Sequence, residues 1–360
     1  MYDSQAIFPP QYPIPYFQSR HFIRNMEAAA AFLPFDHSKA KIYSQTPLLH
    51  NRLLADFDRI QFERCGKMLG DYVTTGDGLV LIDRTGNCFS INFPWDSSLV
   101  SRRPFDEVND RAFWDHRRKL LDNWDSVPMA KNATVWSHIY HTNYYHFTFE
   151  LLQKARLASD YPIDFVLIPH LILSRQFQRD LLSRVIVSSQ VVPMKGFIRV
   201  VDPVIADGWQ SDRSLTWLRQ TMNFGTGPGE NRYYVRRATS KRSANNISES
   251  ADFLDFIRKY EFKVVDFGTG EIPVAEQIDM VRGASIILSP HGAGLTNLAY
   301  LNPPLAVIEC FSRRVLSASF MQIALNLGFR YFGIISEHED TEKCIVTDVA
   351  LLEQIMEQIL

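Results

Sequence analysis

Residues 284–297 read Ala-Ser-Ile-Ile-Leu-Ser-Pro-His-Gly-Ala-Gly-Leu-Thr-Asn. The apolar run 284–288 predicts a buried strand, and residues 292–301 can form a helix. Between them lies a turn with two glycines and one histidine, His291. This arrangement binds phosphate groups, because glycine lets the backbone approach an anion and the first amides of the helix face it. An ordinary glycine turn between a strand and a helix is the competing interpretation.

Around this turn, predicted strands alternate with predicted helices through the second half of the chain. The strands are predicted at 232–236, 262–267, 284–288, 304–310 and 330–335, and the helices at 211–223, 248–260, 273–282, 292–301, 317–327 and 349–360. Apolar strands that alternate with helices indicate a parallel, doubly wound sheet. Ligands of such sheets bind at the carboxyl ends of strands, and His291 and Glu309 both fall at predicted strand ends.

The first half of the chain is less regular. Residues 71–93 contain two glycine turns between short apolar runs, which predicts a β-hairpin or meander. Strands at 135–140, 165–168 and 197–204 and helices at 143–157 and 175–187 complete a second α/β unit with extra β elements. Breaker clusters near 206–230 separate the halves. We expect domains at 1–206, with 1–40 an irregular arm, and at 211–347, with a terminal helix at 348–360 that packs back on the first domain.

Composition restricts the class of protein. The 360 residues are 46% hydrophobic and 22% charged, as in globular proteins with room for two cores. A net charge of −2 gives no field that favours nucleic acid. No apolar run is long enough to predict a transmembrane helix, although peripheral membrane contact stays open. The N-terminus lacks a secretory pattern and the four cysteines are scattered, so we expect a cytoplasmic protein.

A group of basic residues lies at the edge of the sheet that the glycine turn occupies. The five cations within eleven residues are Arg232, Arg236, Arg237, Lys241 and Arg242. Guanidinium groups there can bind a diphosphate bidentately, although a solvated charged face is the other interpretation. Glu309 can accept hydrogen bonds from ribose hydroxyls, or it can be an ordinary surface glutamate.

A third group lies in the first half and comprises His138, His141, Asn143, His146 and Glu150. His146 and Glu150 are four residues apart on a predicted helix and therefore share a face. A carboxylate beside an imidazole holds its tautomer and raises its basicity, which suits a general base. The spacing also allows two metal ligands without a third, or a structural pair. The triplet Asp56-Phe57-Asp58 has the Asp-x-Asp pattern of a metal site, but such triplets arise often by chance.

Three of these segments together resemble glycosyltransferase family 61. Ser289–Asn297, followed by Val307-Ile308-Glu309, resembles the signature turn of that family. Asn143-Tyr144-Tyr145-His146-Phe147 with Glu150 resembles its "Asn-Tyr-aromatic-His-Trp … Glu" helix, with Phe147 in place of tryptophan. The segment 234–245 resembles its basic strand and loop, with Arg236 where serine is commoner and Asn246 where glutamate is.

The resemblance implies a GT-B architecture, in which two Rossmann-like domains face each other across a cleft. It implies inverting transfer of a sugar from a nucleotide-sugar donor, commonly UDP-linked, to a glycan or glycolipid hydroxyl, as in bacterial-type members that build capsular or exopolysaccharide. The base is then His146 or Glu150. The donor-binding residues are Arg237, Lys241, Arg242, His291, Gly292, Ala293, Gly294, Leu295, Thr296, Asn297 and Glu309. No cofactor besides the donor is expected, and metal independence is expected because a helix dipole and arginines can replace a cation.

Other functions use similar scaffolds. A nicotinamide-dependent dehydrogenase needs a Gly-x-Gly-x-x-Gly turn after its first strand, and the chain has none. A nucleotide-sugar epimerase or hydrolase, or a non-catalytic nucleotide-sugar-binding module, remains open. Trp136, Tyr140, Tyr144 and Tyr145 can stack on acceptor sugars or belong to the core. The sequence leaves the sugar, the acceptor and the oligomeric state open.

Overall fold

The computed structural model describes residues 40–44, 49, 53, 63–74, 80–85, 88–90, 119–138, 140–186, 190–208, 211–224, 227, 229–237, 246–268, 270–336, 338–340 and 344–360. Lys241, Arg242, the Asp56–Asp58 triplet and the predicted arm before residue 40 lie outside these residues. The chain divides into two compact units. The first contains the described residues within 63–174 and 182–208, and the second contains those within 40–53, 175–181 and 211–360.

The strands and α-helices of the described residues are numbered in chain order. The strands are β1 (Ala40–Ser44), β2 (Glu63–Lys67), β3 (Asp71–Thr74), β4 (Val80–Asp83), β5 (Cys88–Ser90), β6 (Met129–Lys131), β7 (Ala133–Val135), β8 (Phe165–Pro169), β9 (Gln190–Met194), β10 (Ile198–Val201), β11 (Val204–Gly208), β12 (Asn231–Arg236), β13 (Lys263–Asp266), β14 (Ala284–Pro290), β15 (Ala306–Ser312) and β16 (Arg330–Ser336). The helices are α1 (Tyr144–His146), α2 (Gln153–Leu157), α3 (Gln176–Val185), α4 (Asp212–Met222), α5 (Ala251–Lys259), α6 (Val274–Met280), α7 (Ser319–Asn326) and α8 (Val349–Ile359).

The second unit is built on a six-stranded sheet in the order β1-β16-β15-β14-β12-β13. Every pair of neighbours is parallel, so the predicted parallel sheet is confirmed. From β12 the chain first adds β13 on one side, and then returns to place β14, β15 and β16 on the other. The strand order therefore reverses between β12 and β14, which is the switch point where such sheets bind ligands.

Burial explains why these segments form central strands. All seven residues of β15 are buried, and only one residue of β14 is not, as expected for strands covered on both faces. Leu288, Ile308 and Phe332 belong to one core cluster. That cluster also includes Phe253 of α5 and Leu352 of α8, together with Ile355 and Met356. The terminal helix thus packs in the core of the second unit, where the sequence predicted packing on the first.

The N-terminal part of the described residues also differs from prediction. Ala40, assigned to an irregular arm of the first domain, begins β1, which pairs in parallel with β16 from Ala40–Tyr331 to Ser44–Ile335. This pairing places β1 in the second unit. There it forms the edge of the sheet and pairs with the backbone groups of β16. Among the described residues, no helix combines the length and the apolar character needed to cross a bilayer.

The first unit contains two five-stranded sheets, in the orders β5-β4-β3-β10-β6 and β2-β11-β7-β8-β9. Antiparallel pairing of β3, β4 and β5 confirms the predicted meander. The single strand predicted at 197–204 is instead β10 and β11, which lie in different sheets. The chain turns at Asp202, whose φ is 46°, and Pro203 follows, which interrupts a continuous strand. The strand predicted at 135–140 ends at Val135.

Candidate active site

The turn after β14 lies at the switch point of the six-stranded sheet in the second unit. Ser289 and Pro290 are still part of β14, and the His291 N–H donates to the carbonyl of Cys310 on β15 at 2.8 Å. The following segment, Ala293–Tyr300, is a 3-10 helix, where an ordinary helix was predicted. The Leu295 N–H donates to the Gly292 carbonyl at 3.0 Å, so this amide closes the turn itself.

The imidazole of His291 is held by a buried carboxylate. Its Nδ1 lies 2.6 Å from Glu309 Oε1, and the other carboxylate oxygen, Oε2, accepts a hydrogen bond from the Tyr331 hydroxyl at 2.5 Å. The Glu309 side chain has zero solvent exposure, whereas that of His291 is 15% exposed. The His291 ring also stacks on Phe311, with centroids 5.3 Å apart. Because a carboxylate only accepts, Nδ1 carries the proton and Nε2 is left for another partner.

This placement corrects the reading of Glu309. The strand predicted to end at Cys310 continues to Ser312, because Cys310 and Phe311 extend the buried apolar run. Glu309 therefore lies inside β15 with both oxygens occupied, and it contacts His291 and Tyr331 in place of the ribose that the sequence suggested.

Arg237 lies against the glycine turn. It follows β12 directly, and its Nη1 donates to the His291 carbonyl at 3.0 Å. A Cβ atom at Gly292 would lie 3.1 Å from the Arg237 Cζ, so the guanidinium packs on the backbone of this glycine. Arg236 instead faces Glu249 and Asp266, at 3.7 and 3.9 Å. Of these two arginines, Arg237 is the one that the fold brings to the turn.

The remaining residues of the turn divide by burial. His291, Gly292, Ala293 and Gly294 are partly exposed, whereas the side chains of Leu295, Thr296 and Asn297 are buried. The Asn297 amide donates to Gln277 Oε1 at 3.2 Å. These three side chains, predicted to bind the donor, lie in the interior of the second unit, because the 3-10 helix packs against α6 and α7.

The second candidate group lies on a helical segment of the first unit. Asn143 caps α1 by accepting the Tyr145 N–H at 2.9 Å. After His146 the segment forms a π-turn, Phe147–Leu151, closed by a hydrogen bond from the Leu152 N–H to the Phe147 carbonyl at 3.0 Å. The continuous helix predicted at 143–157 is therefore interrupted by one wide turn, a feature that is frequent at functional sites.

Glu150 lies within this π-turn and contacts two histidines. His146 Nδ1 is 2.9 Å from Glu150 Oε1, and His138 Nε2 is 2.5 Å from Oε2. The two imidazole rings stack, with centroids 5.1 Å apart. Burial by itself would raise the pKa of Glu150, but the charges of His138 and His146 and their contacts lower this pKa to about 2. Glu150 is thus a carboxylate at neutral pH, and it contacts two rings.

The partners of the rings define their tautomers. The Tyr140 N–H donates to His138 Nδ1 at 3.1 Å, so the proton of a neutral His138 lies on Nε2, facing Glu150. His146 directs its Nδ1 proton to Glu150, which leaves Nε2 with a lone pair. The His146 side chain is 18% exposed, whereas that of His138 is 4% exposed. His146 is therefore the more accessible of the two rings, and His138 contacts the carboxylate from within.

The same three residues are also the usual ligand set of a divalent metal. Their ligand atoms lie within 4.8 Å of one another, and His138 supplies the third ligand that the sequence did not place. A metal would need the lone pair of His138 Nε2, which requires the opposite tautomer and the loss of the hydrogen bond from Tyr140. The contacts therefore fit a proton-holding cluster better than a metal site.

One exposed aromatic ring lies beside this cluster. Of the four aromatic residues considered for sugar stacking, Trp136, Tyr144 and Tyr145 are buried, and Tyr140 is 38% exposed. The Tyr140 ring centroid is 5.0 Å from that of His146.

The sequence did not identify Tyr331 as the residue whose hydroxyl donates to Glu309. A buried tyrosine near the start of a predicted strand signals that its hydroxyl needs a partner. Only the register of β15 against β16 identifies that partner as Glu309.

Comparisons with known proteins identify the family of this chain. Residues 21–308 match the sequence model of the family described as Glycosyltransferase 61. The chain is 32% identical to the EGF domain-specific O-linked N-acetylglucosamine transferase of Gallus gallus and 31% identical to that of Rattus norvegicus. Each similarity extends over 78 residues, 22% of this chain and 15% of the relative, so the chain spans a small part of these relatives. Because the family match covers well over half of the chain, the protein belongs to glycosyltransferase family 61.

Proposed function

We propose that this protein is an inverting glycosyltransferase, which moves a sugar from a UDP-linked donor to a hydroxyl of a glycan or glycolipid. The observation that carries the donor assignment is the meeting of Arg237 and His291 at the switch point of a parallel sheet. Two cationic or hydrogen-bond-donating side chains beside an accessible glycine backbone suit a diphosphate.

The proposed donor site consists of the partly exposed residues of the turn and the guanidinium that packs on it. In its imidazolium form, His291 donates from Nε2–H to a diphosphate oxygen and Arg237 donates to the other oxygens, and the backbone of Gly292 to Gly294 approaches them closely. Lys241 and Arg242, which follow β12 in the sequence, add two positive charges to this part of the chain. Because negative charge grows on the diphosphate as the sugar leaves, these donors stabilise the transition state more than the ground state.

The proposed base is His146. In an inverting transfer the acceptor oxygen attacks the anomeric carbon while the bond to the nucleotide diphosphate breaks, and its electrons remain on the phosphate oxygen. The proton of the acceptor hydroxyl moves to the lone pair of His146 Nε2, and Glu150 stabilises the imidazolium that results. Glu150 itself is less suited to be the base, because both of its oxygens are occupied and its pKa is about 2.

The proposed arrangement is the GT-B one, in which the second unit binds the donor and the first unit binds the acceptor. No metal is assigned to the reaction, since guanidinium groups and turn amides can neutralise a diphosphate. N-acetylglucosamine is the first sugar to test, because the relatives that share about 30% identity are named for its transfer.

Calorimetric titration of the purified protein tests the donor site. UDP is the ligand, GDP, CMP and NAD are the controls, and excess chelator is present throughout. Saturable UDP binding that is lost in Arg237→Ala and retained in Arg236→Ala supports the proposal, because Arg236 contacts Glu249 and Asp266. If UDP does not bind, or if NAD alone binds, the donor assignment is wrong.

Transfer is then separated from hydrolysis with a UDP-sugar and a panel of glycan acceptors. Sugar released only as free monosaccharide, at a rate that acceptors do not change, would favour a hydrolase. A new glycosidic bond of inverted configuration, detected by proton NMR, supports the inverting transferase.

A further inference from the structure

Glu309 is a fully buried carboxylate whose two oxygens each have a dedicated donor. His291 Nδ1 lies 2.6 Å from Oε1, and the Tyr331 hydroxyl lies 2.5 Å from Oε2. The Tyr331 side chain comes from β16, and the residue of β16 directly opposite Glu309 is Gly333. A Cβ at Gly333 would lie 3.3 Å from Tyr331 Cε1 and 3.6 Å from its hydroxyl oxygen. The missing side chain at Gly333 therefore leaves room for Tyr331 to reach Glu309.

Tyr331 is a constant hydrogen-bond donor. Burial, and then the charge of Glu309, raise the pKa of the Tyr331 hydroxyl well above its usual value. The hydroxyl consequently remains protonated across the working range of pH. Since its proton faces Oε2, the carboxylate plane is fixed, and Oε1 is directed at His291.

The orientation of His291 follows from this fixed carboxylate. A neutral imidazole has one N–H. Here that N–H is at Nδ1, and it donates a hydrogen bond to the Glu309 carboxylate. Phe311 and Phe320 pack against the ring, with centroids 5.3 and 5.4 Å away, and limit its rotation. The partly exposed Nε2 is then the atom that a ligand meets. It donates a hydrogen bond to a phosphate oxygen in the imidazolium form, in which both ring nitrogens carry a proton and Glu309 balances the charge.

We infer that Tyr331 is a positioning residue, which acts through Glu309 to hold His291 with Nε2 directed at a diphosphate oxygen of the nucleotide donor. Because the ligand in this inference is the donor, it rests on the proposed function. Glu309 is then a link between two side chains and not a ribose ligand, so ribose recognition comes from other residues.

The protonation of the two ring nitrogens of His291 can be measured without any nucleotide, and it tests the role of Tyr331. In protein labelled with 15N, the chemical shift of a ring nitrogen distinguishes one that carries a proton from one that carries a lone pair. Among the 10 histidines, His291 is assigned by comparison with His291→Gln. We expect the Nδ1–H tautomer in the wild type and a mixture of tautomers in Tyr331→Phe. The matched control is Tyr233→Phe, which removes a hydroxyl that donates to the Arg282 carbonyl at 2.9 Å on the same sheet.

A wild-type tautomer pattern in Tyr331→Phe would overturn the inference, whatever the protein binds. If Tyr331→Phe does not fold, Glu309→Gln provides the second variant, since an amide keeps the size of the side chain but loses its charge. The same mixture of tautomers is expected there, and an unchanged Nδ1–H signal again contradicts the inference.

Titration with UDP then links the tautomer to donor binding. Loss of one positioning hydrogen bond predicts a Kd for UDP about three- to tenfold higher in Tyr331→Phe. In the His291→Ala background the same change should have no further effect, because the two residues act as one unit. An equal loss in both backgrounds would show that Tyr331 acts independently of His291. If the wild type does not bind UDP, the proposed function fails, and the NMR comparison still decides the role of Tyr331.

Discussion

A single added methyl group at Gly292 tests the contact on which the donor site depends. In Gly292→Ala the new Cβ would lie 3.1 Å from the Arg237 Cζ and Nη1 and 3.3 Å from Nε, closer than ordinary van der Waals contact. The backbone does not oppose the substitution, since Gly292 has a φ of 167°, which is extended. The guanidinium therefore moves by a few tenths of an ångström or more, and its 3.0 Å hydrogen bond to the His291 carbonyl is weakened or lost.

The size of the effect follows from that hydrogen bond. A hydrogen bond with a charged donor contributes about 1.5–3 kcal/mol, and about 1.4 kcal/mol corresponds to a tenfold change in Kd. We expect the Kd for UDP, measured by calorimetry, to rise about tenfold to a hundredfold in Gly292→Ala. Thermal stability should change little, because Gly292 is partly exposed and the contact is with a side chain.

A second genetic background separates displacement of Arg237 from general damage to the turn. In an Arg237→Ala background, Gly292→Ala should add nothing. Unchanged UDP affinity in Gly292→Ala, or an equal loss when Arg237 is absent, would refute the assignment of Arg237 as a phosphate ligand.

Three further predictions concern the first unit. His146→Gln removes the proposed base, so kcat should fall about a hundredfold or more with UDP affinity unchanged, and a kcat near the wild-type value would exclude this role. The pKa of Glu150 is lowered from 4.5 to about 2, so its charge contributes about 3 kcal/mol of stability above pH 4.5 that is lost as the pH falls towards 2. Glu150→Gln should lack this dependence in chemical denaturation, and parallel pH profiles of the two proteins would contradict the reasoning. Tyr140→Ala should raise the KM for a glycan acceptor severalfold and leave the donor KM unchanged. Tyr140→Phe is the control, because it retains the ring. An unchanged acceptor KM in Tyr140→Ala would argue against stacking.

The parallel sheet was predictable because its central strands carry their own signal. Each is a short apolar run bounded by helices with polar faces, so periodicity alone identifies β14, β15 and β16 within a few residues of their bounds. Strand β1 lacks that signal. Its residues, Ala40–Ser44, mix polar and apolar side chains, and pairing with β16 is what makes them a strand. Such pairing depends on tertiary contact, which local sequence does not encode.

In the candidate site, too, local spacing predicts some contacts, whereas others depend on tertiary structure. The pair His146 and Glu150 was predictable because a helix places residues four apart on one face. The contact of Glu150 with His138 depends on the loop that follows β7, and the contact of His291 with Glu309 depends on the register of two strands. Spacing along the chain does not determine either arrangement. The contacts of Glu309 with His291 and Tyr331 could not be predicted for this reason.

The π-turn at Phe147–Leu151 has a consequence for how this protein can change. A wide turn arises when one residue is added to a helix, and it shifts the phase of every later residue by about 100° relative to the preceding ones. Deleting one residue would restore regular winding, but it would rotate buried residues of α2, such as Lys154, whose Nζ donates to the Ala206 carbonyl at 2.9 Å, out of register with β11. Insertions and deletions in this helix are therefore expected to be rare among functional homologues, even where single substitutions are tolerated. The irregularity ties the angular position of Glu150 to the packing of the scaffold behind it, so neither can evolve independently of the other.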